Sequence, residues 1–240
     1  MGEENERGIY MYLTIIQEIN SSELFNNRFN KAWQIAQARK KFGDLSNEQN
    51  VHRMICHMVG GEHGVKREWE NLLYRKVNSL IRGFYVQSDS YLNTETVARL
   101  GYRIVQVINL DSLFTTSIKE GGDVLINAQY APTKSVNGKK ISIEDEKKRQ
   151  EWVVNKMKES GLTVFGIKET EESHIVFNHS GNKINRKQST FINGFNYKIS
   201  ARVDDPVKFK EAVQRGIGRG RAYGCGMTIF KPITNGYVEG

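Results

Sequence analysis

Apolar positions along the chain change their period in a regular order. Residues 9–17, Ile-Tyr-Met-Tyr-Leu-Thr-Ile-Ile-Gln, form an unbroken β-branched and aromatic run, which predicts a strand buried on both faces. The stretch that follows, to Ser46, is polar, carries the basic run Arg39-Lys40-Lys41, and reads as a connection. Ser46-Asn47-Glu48 then opens a helix with Val51, Met54, Ile55 and Met58 on one side, ended by Gly60-Gly61. Residues 69–77 and 80–86 read as strands, a short helix carries Val97 and Leu100, and residues 102–108 read as another strand. The order is β-α-β-β-α-β.

The second half returns to that order. Residues 123–130 predict a strand, and residues 144–159 a helix with Val153 and Met157 one turn apart, stopped at Ser160-Gly161. Residues 163–167, 174–177, 189–192 and 195–203 supply an antiparallel middle. Asp205-Pro206 is a good N-cap and first helical position for a helix that buries Phe209 and Val213 and ends at Gly216. Residues 227–230 make the last strand, closed by Pro232. No residue-level repeat accompanies this recurrence, whose join falls near Gly121-Gly122. The expected fold is α+β, two tandem ferredoxin-like (RRM-like) βαββαβ domains over residues 9–118 and 119–240. RNA-recognition modules share this architecture, but a fold does not by itself assign a function.

Composition narrows the partner. The 240 residues are 38% apolar, enough for ordinary cores, and 35 Lys and Arg against 27 Asp and Glu leave a net charge of +8. A basic surface of that kind favours a polyanion, nucleic acid or an anionic membrane. No run approaches the ~18 consecutive apolar residues of a membrane span. The start, Met1-Gly2-Glu3-Glu4-Asn5-Glu6, is acidic where a signal peptide would be basic, and Glu6 stands where a myristoylation signal wants Ser or Thr. Cys56 and Cys225 are too few and too far apart for a disulfide framework or a zinc site, which fits a reducing cytoplasm.

Candidate chemistry concentrates in two polar segments. The first is GIGRGRAYGCGM, residues 216–227, with five glycines and two arginines. It matches neither GxGxxG nor GxxxxGK[ST], which argues against a nucleotide cofactor. Two readings stay open: a structural turn, or a loop in which Gly218 and Gly220 bring backbone N–H groups to phosphates while Arg219 and Arg221 supply charge and Tyr223 a stacking surface. The second segment is Asn182-Lys183-Ile184-Asn185-Arg186-Lys187. It is either a solvated hairpin tip or a basic hairpin whose Lys183, Arg186 and Lys187 track an RNA backbone, with Lys134, Lys139 and Lys140 extending that surface. Of the five histidines, His52 and His57 are five apart on one helix and share no face, and His174 and His179 lack the paired spacing of two-histidine phosphoesterases. His63 stands alone in sequence. Glu144-Asp145-Glu146 reads as a solvated helix face, and no carboxylate constellation calls for magnesium.

With those pieces placed, the chain resembles the CasE family, the CRISPR RNA-processing endoribonucleases of the type I-E Cascade complex. GIGRGRAYGCGMTIFKP looks like that family's C-terminal glycine-rich signature. MYLTII from Met11, Val51-His52-Arg53, Leu73-Tyr74-Arg75, Ala131-Pro132-Thr133-Lys134 with Gly138-Lys139-Lys140, and Phe191-Ile192-Asn193-Gly194 fit in the same order, from about Met11 to Pro232.

The resemblance implies two ferredoxin-like domains and metal-independent cleavage of a CRISPR repeat stem-loop RNA, with no cofactor. The implied products carry a 2′,3′-cyclic phosphate and a 5′-hydroxyl, and the crRNA stays bound as the enzyme joins the Cascade subunits. The family's catalytic histidine falls on His52, and Arg53 beside it is a candidate RNA contact. Imidazole titrates near neutrality and serves as either general acid or general base. Some members carry a tyrosine one turn before the histidine, where this chain has Gln49. Glutamine cannot transfer protons in that way, although it can hydrogen-bond a phosphate. That departure keeps open a second reading, a subunit that holds a stem-loop without cutting it. Whether His57 supports His52 or simply packs is also open.

Overall fold

The computed structural model describes residues 10–20, 30–60, 71–77, 82–178 and 189–233. A first sheet contains β1 (Tyr12–Glu18), β2 (Leu73–Lys76), β3 (Gly83–Ser88) and β4 (Tyr102–Asn109) in the order β2-β3-β1-β4, with every pair antiparallel. A second contains β5 (Asp123–Tyr130), β8 (Leu162–Asn178), β9 (Ser189–Val203) and β10 (Thr228–Pro232) in the order β10-β5-β9-β8, again antiparallel. Each sheet sets the first and third strands of its unit in the centre, with the fourth and second outside. A βαββαβ chain with antiparallel neighbours produces that order, so the α+β class and the twofold recurrence stand as expected. Among the described residues no helix is long and apolar enough to cross a membrane.

The helices are α1 (Asn30–Lys40), α2 (Glu48–Gly60), α3 (Thr94–Arg99), α4 (Leu110–Ser117), α5 (Glu146–Glu159) and α6 (Pro206–Arg215). The apolar side of α2, with Val51, Met54, Ile55 and Met58, packs on Ile16, Tyr74, Phe84 and Val86 of the first sheet. In the second sheet, alternation along β5 puts Val124, Ile126, Ala128 and Tyr130 under Val153 and Met157 of α5 and Phe209 and Val213 of α6. The opposite face of the first sheet is not idle. Leu13 and Leu73 belong to that same second cluster, so one core joins the two sheets at their closed end. Gln87 of β3 fastens the join by donating from Nε2 to the carbonyl of Val213, at 3.0 Å.

The structure corrects the sequence expectation in four places. The polar connection contains α1, which buries Ile35 and is tied down at its end by Arg39. Arg39 Nε donates to the Leu100 carbonyl at 2.7 Å, Nη1 pairs with Glu18 at 2.7 Å, and the guanidinium lies 4.8 Å from the Tyr102 ring centroid. A helix held by one apolar residue and one arginine leaves no apolar stripe to read. Next, α4 follows β4 without a break; Asn109 ends the strand and also caps the helix, accepting from the Ser112 N–H at 2.9 Å. Thr133–Val136 (β6) and Lys139–Ser142 (β7) form a small exposed hairpin turned by Asn137 and Gly138, both at positive φ. Finally, the four short middle strands are two long ones. β8 runs through irregularities at Val164/Gly166 and Glu169/Glu171 that interrupt its alternation.

Candidate active site and nucleic-acid interface

Asn47 starts α2, accepting the Gln49 N–H on its side chain at 3.0 Å. One turn further on, the helix presents His52, half-buried, between a polar and an apolar edge. The imidazole stacks at 6.2 Å and 23° on Tyr74 of β2, and its Nε2 lies 3.6 Å from the Sγ of Cys56. Nδ1 is shielded from solvent. Cys56 is one turn after His52, and the i,i+4 spacing that brings them together was legible in the sequence. Arg53 is exposed, about 100° around the helix from His52.

Tyr74, which the sequence offered within Leu73-Tyr74-Arg75 without a role, is the pivot. It is fully buried, and its hydroxyl donates to the Glu48 carboxylate and carbonyl, both at 3.2 Å. Lys76 closes an ion pair onto the same carboxylate. Burial first, then the Glu48 carboxylate, raises the Tyr74 phenol well above its usual value near 10. It therefore keeps its proton at neutral pH and acts as a platform for the imidazole rather than an acid–base partner. Replacing Tyr74 by Phe takes one donor from a buried carboxylate, and we expect a loss of about 2 kcal/mol in stability by urea unfolding. The aromatic platform survives, so cleavage per folded molecule should stay within about twofold.

The glycine-rich loop comes to the other side of Tyr74. All five of its glycines sit in the left-handed region, with φ between +71° at Gly216 and +85° at Gly224 and Gly226. The loop closes on itself and on β5: Ile217 N–H to Gly226 O and Gly226 N–H to Gln129 O, each 2.8 Å, and Tyr223 N–H to Gly220 O, also 2.8 Å. A side chain is excluded at Gly218 by the Trp152 ring, where a Cβ would lie 2.9 Å from it. A Cβ placed on Gly224 would lie 3.8 Å from Cε2 of Tyr74, ordinary contact distance. The single turn Arg221–Tyr223 packs against both α2 and β2. The glycines thus serve a closed turn, and that turn sets exposed Arg221 beside the helix that carries His52.

Those arginines also hold neighbours. Arg221 Nη1 donates to the Arg215 carbonyl at 2.7 Å, capping the end of α6. Arg219 Nη1 reaches the Lys140 carbonyl at 3.4 Å, so the β6–β7 hairpin and the loop adjoin. Lys134, Lys139 and Lys140 are all exposed on that hairpin, as are Gly218, Arg219 and Arg221 of the loop, while Gly220 is half-buried. Lys183, Arg186 and Lys187 lie outside the described residues, as do His63 and His179. The ladder that ends at Asn178 opposite Ser189 makes residues 179–188 the link between β8 and β9.

Other charges turn inward. Lys41 Nζ lies 2.7 Å from His57 Nε2, and the His57 ring meets Phe42 edge-on at 5.5 Å. His57 is buried in these contacts on a different side of α2 from His52. Two members of the Arg39–Lys41 run thus serve the fold. Among the described residues no group of three or more His, Cys, Asp or Glu is placed to hold a metal ion.

No curated protein matches the chain. Solved structures do. CRISPR endoribonuclease Cse3 bound to a 19 nt RNA aligns over 93% of this chain and 100% of its own at TM-score 0.68 and 16% identity. Thermus thermophilus Cse3 bound to an RNA representing a pre-cleavage complex gives the same values. Cas6e from Escherichia coli str. K-12 aligns over 92% of this chain and 100% of its own, at TM-score 0.60 and 13% identity. At such identities the likeness establishes a shared fold. The sequence profile described as CRISPR associated protein matches residues 28–232, most of the chain. The chain belongs to the CRISPR associated protein family and has the fold of the Cse3 and Cas6e endoribonuclease structures.

Proposed function

We propose that this protein is a metal-independent endoribonuclease that cleaves the stem-loop of CRISPR repeat RNA and keeps the crRNA as a subunit of Cascade. The observation that carries the proposal is the meeting of α2, β2 and the glycine loop, with half-buried His52 against Tyr74 and the turn that begins at exposed Arg221 packed on both elements. The RNA-bound Cse3 structures share this fold, which supports RNA as the substrate. We take the working units to be residues 9–118, which hold His52, and 119–240, which hold the basic loop and hairpins.

The reaction asks little of the protein. The 2′-oxygen attacks its own phosphorus, the bond from phosphorus to the 5′-oxygen breaks, one proton leaves the 2′-hydroxyl and one arrives on the departing oxygen. His52 carries one of these protons, and Arg53, Arg219 or Arg221 offsets charge on the phosphate. With Nε2 toward Cys56 and Nδ1 shielded, the ring must turn about its side-chain torsions to meet RNA. Gln49, exposed enough to reach a phosphate, supplies a hydrogen bond but no proton transfer.

The same Gln49 sustains one alternative, a subunit that holds the stem-loop without cutting it. Incubating the protein with a repeat stem-loop and with a scrambled hairpin, in EDTA, separates the two. Site-specific cleavage of the first alone supports the enzyme; tight, selective binding with intact RNA supports the holder; equal weak binding of both refutes both. Binding itself should be electrostatic. Charge reversal at Lys134, Lys139 and Lys140, or at Lys183, Arg186 and Lys187, is expected to weaken affinity and to flatten the salt dependence by about one unit of log–log slope per lost phosphate contact. An unchanged slope would remove that hairpin from the interface.

A further inference from the structure

Two buried arginines sit against the second sheet, and they differ in one respect. Arg149 is 8% exposed and has its own counter-ion: Glu169 takes Nη2 at 2.5 Å and Nε at 3.0 Å, and Tyr197 donates to the same carboxylate. Arg75 is 7% exposed and has no counter-ion among the described residues. Its Nη2 donates to two neutral oxygens, Asn127 Oδ1 at 3.0 Å and Asn196 Oδ1 at 3.1 Å. Its Nη1 has no hydrogen-bond partner among the described residues. A guanidinium does not give up its proton at neutral pH, and a buried charge without a counter-charge is strongly disfavoured. The position calls for an anion.

The surroundings say which kind. Neighbouring strand residues face opposite ways, so Tyr74 looks toward His52 while Arg75 looks into the cleft between the two sheets. That cleft is about 400 Å³, walled by Ile15, Tyr85, Val105 and Ile229, and no Asp or Glu among the described residues lines it. Next to it the open face of the second sheet forms a shallower depression of about 630 Å³, lined by Lys168, Lys198 and Lys231 and again by no carboxylate. Lys198 stands opposite Asn127 in the β5–β9 ladder and opposite Lys168 in the β8–β9 ladder. Like charges directly across a sheet repel, so this row also gains from an anion. One buried fork with several lysines in the adjoining depression suits a multiply charged oxyanion better than a single carboxylate.

We propose that the cleft between the two sheets is a phosphate-binding site, with Nη1 of Arg75 taking a phosphate oxygen at its floor and Lys198 and Lys168 of the adjoining depression balancing the remaining charge. The phosphate is inorganic or the 5′-phosphate of a mononucleotide, for which the cleft has room. The site lies on the far side of β2 from His52 and does not depend on the cleavage proposal.

The test is thermal unfolding of the full chain in about 10 mM inorganic phosphate, adenosine 5′-monophosphate or acetate, each against chloride at equal ionic strength. Phosphate or the nucleotide should raise the wild-type Tm by about 3 °C; a larger rise with the nucleotide assigns that source, and an equal rise assigns phosphate alone. Because phosphate stabilises many proteins weakly by exclusion, the deciding readout is Asn127→Asp. That change puts a carboxylate beside Arg75, and it should raise Tm in chloride and abolish the phosphate response. Arg75→Met, if it folds, should lose the response as well. No response in the wild type, or an undiminished one in Asn127→Asp, would overturn the proposal. Acetate acting as strongly as phosphate would overturn it too, in favour of a protein carboxylate.

Discussion

His52→Ala should lose cleavage of the repeat stem-loop by about 10²–10⁴-fold, the range that positioned proton transfer contributes, while its RNA affinity stays close to wild type. In the proposed scheme affinity comes from phosphate contacts spread over the loop and hairpins, whereas His52 acts at one phosphate. The imidazole is half-buried and touches Cys56 and Tyr74, so its removal opens little of the core. Comparable losses in rate and in binding would mean that the variant has disturbed the surface rather than the chemistry. Single-turnover rates beside equilibrium binding distinguish the two. A Cys56→Ala variant tested alongside should cleave, because nothing in the scheme passes a proton through the thiol.

The largest stability effect is expected at Gly226→Val. Gly226 has φ +85°, its N–H and its carbonyl are both hydrogen-bonded, and a Cβ there would lie 2.9 Å from the Ile217 carbonyl and 2.8 Å from Cγ of Arg221. The arginine stem can move aside; the carbonyl, inside a closed turn, cannot. A β-branched residue in the left-handed region adds its own strain. Together these come to on the order of 3 kcal/mol, a fall in Tm of about 6–12 °C at this chain length. RNA affinity should fall as well, since the turn aims Arg219 and Arg221. Gly121→Ala is the matched control: φ is +78° but nothing lies within 4 Å, so only backbone strain of about 1 kcal/mol remains. Equal effects of the two substitutions would contradict this account of the loop.

Legibility in the sequence followed the physics of each element. The strand at Asp123–Tyr130 was read to the residue because its alternation is clean. The helix Pro206–Arg215 was read from its ends inward, because Asp205 caps it, Pro206 starts it and Gly216 at φ +71° stops it. The twofold βαββαβ order followed, and with it the sheet order. Helix α1 was not legible, because one buried isoleucine makes no stripe and its anchoring charges pair with distant residues. Strand β8 looked broken because irregularities shift its alternation, and β9 because Asn193-Gly194 interrupts its apolar run.

The site divides in the same way. His52 and the glycine loop were visible as residues, but not their meeting at Tyr74, which joins segments far apart in sequence through β2. Composition counts charges without saying which are spent inside the fold, so Arg39 looked like surface and the motif that contains Arg75 did not tell that its charge is buried. Only packing separates those classes.

The measurement closest to the central claim is the identity of the product ends when wild-type protein cuts the repeat stem-loop in excess EDTA, read by mass. A 2′,3′-cyclic phosphate on one fragment and a 5′-hydroxyl on the other, absent with His52→Ala, is the predicted result. A 5′-phosphate end, or cleavage that stops in EDTA, would contradict a metal-free attack by the 2′-oxygen.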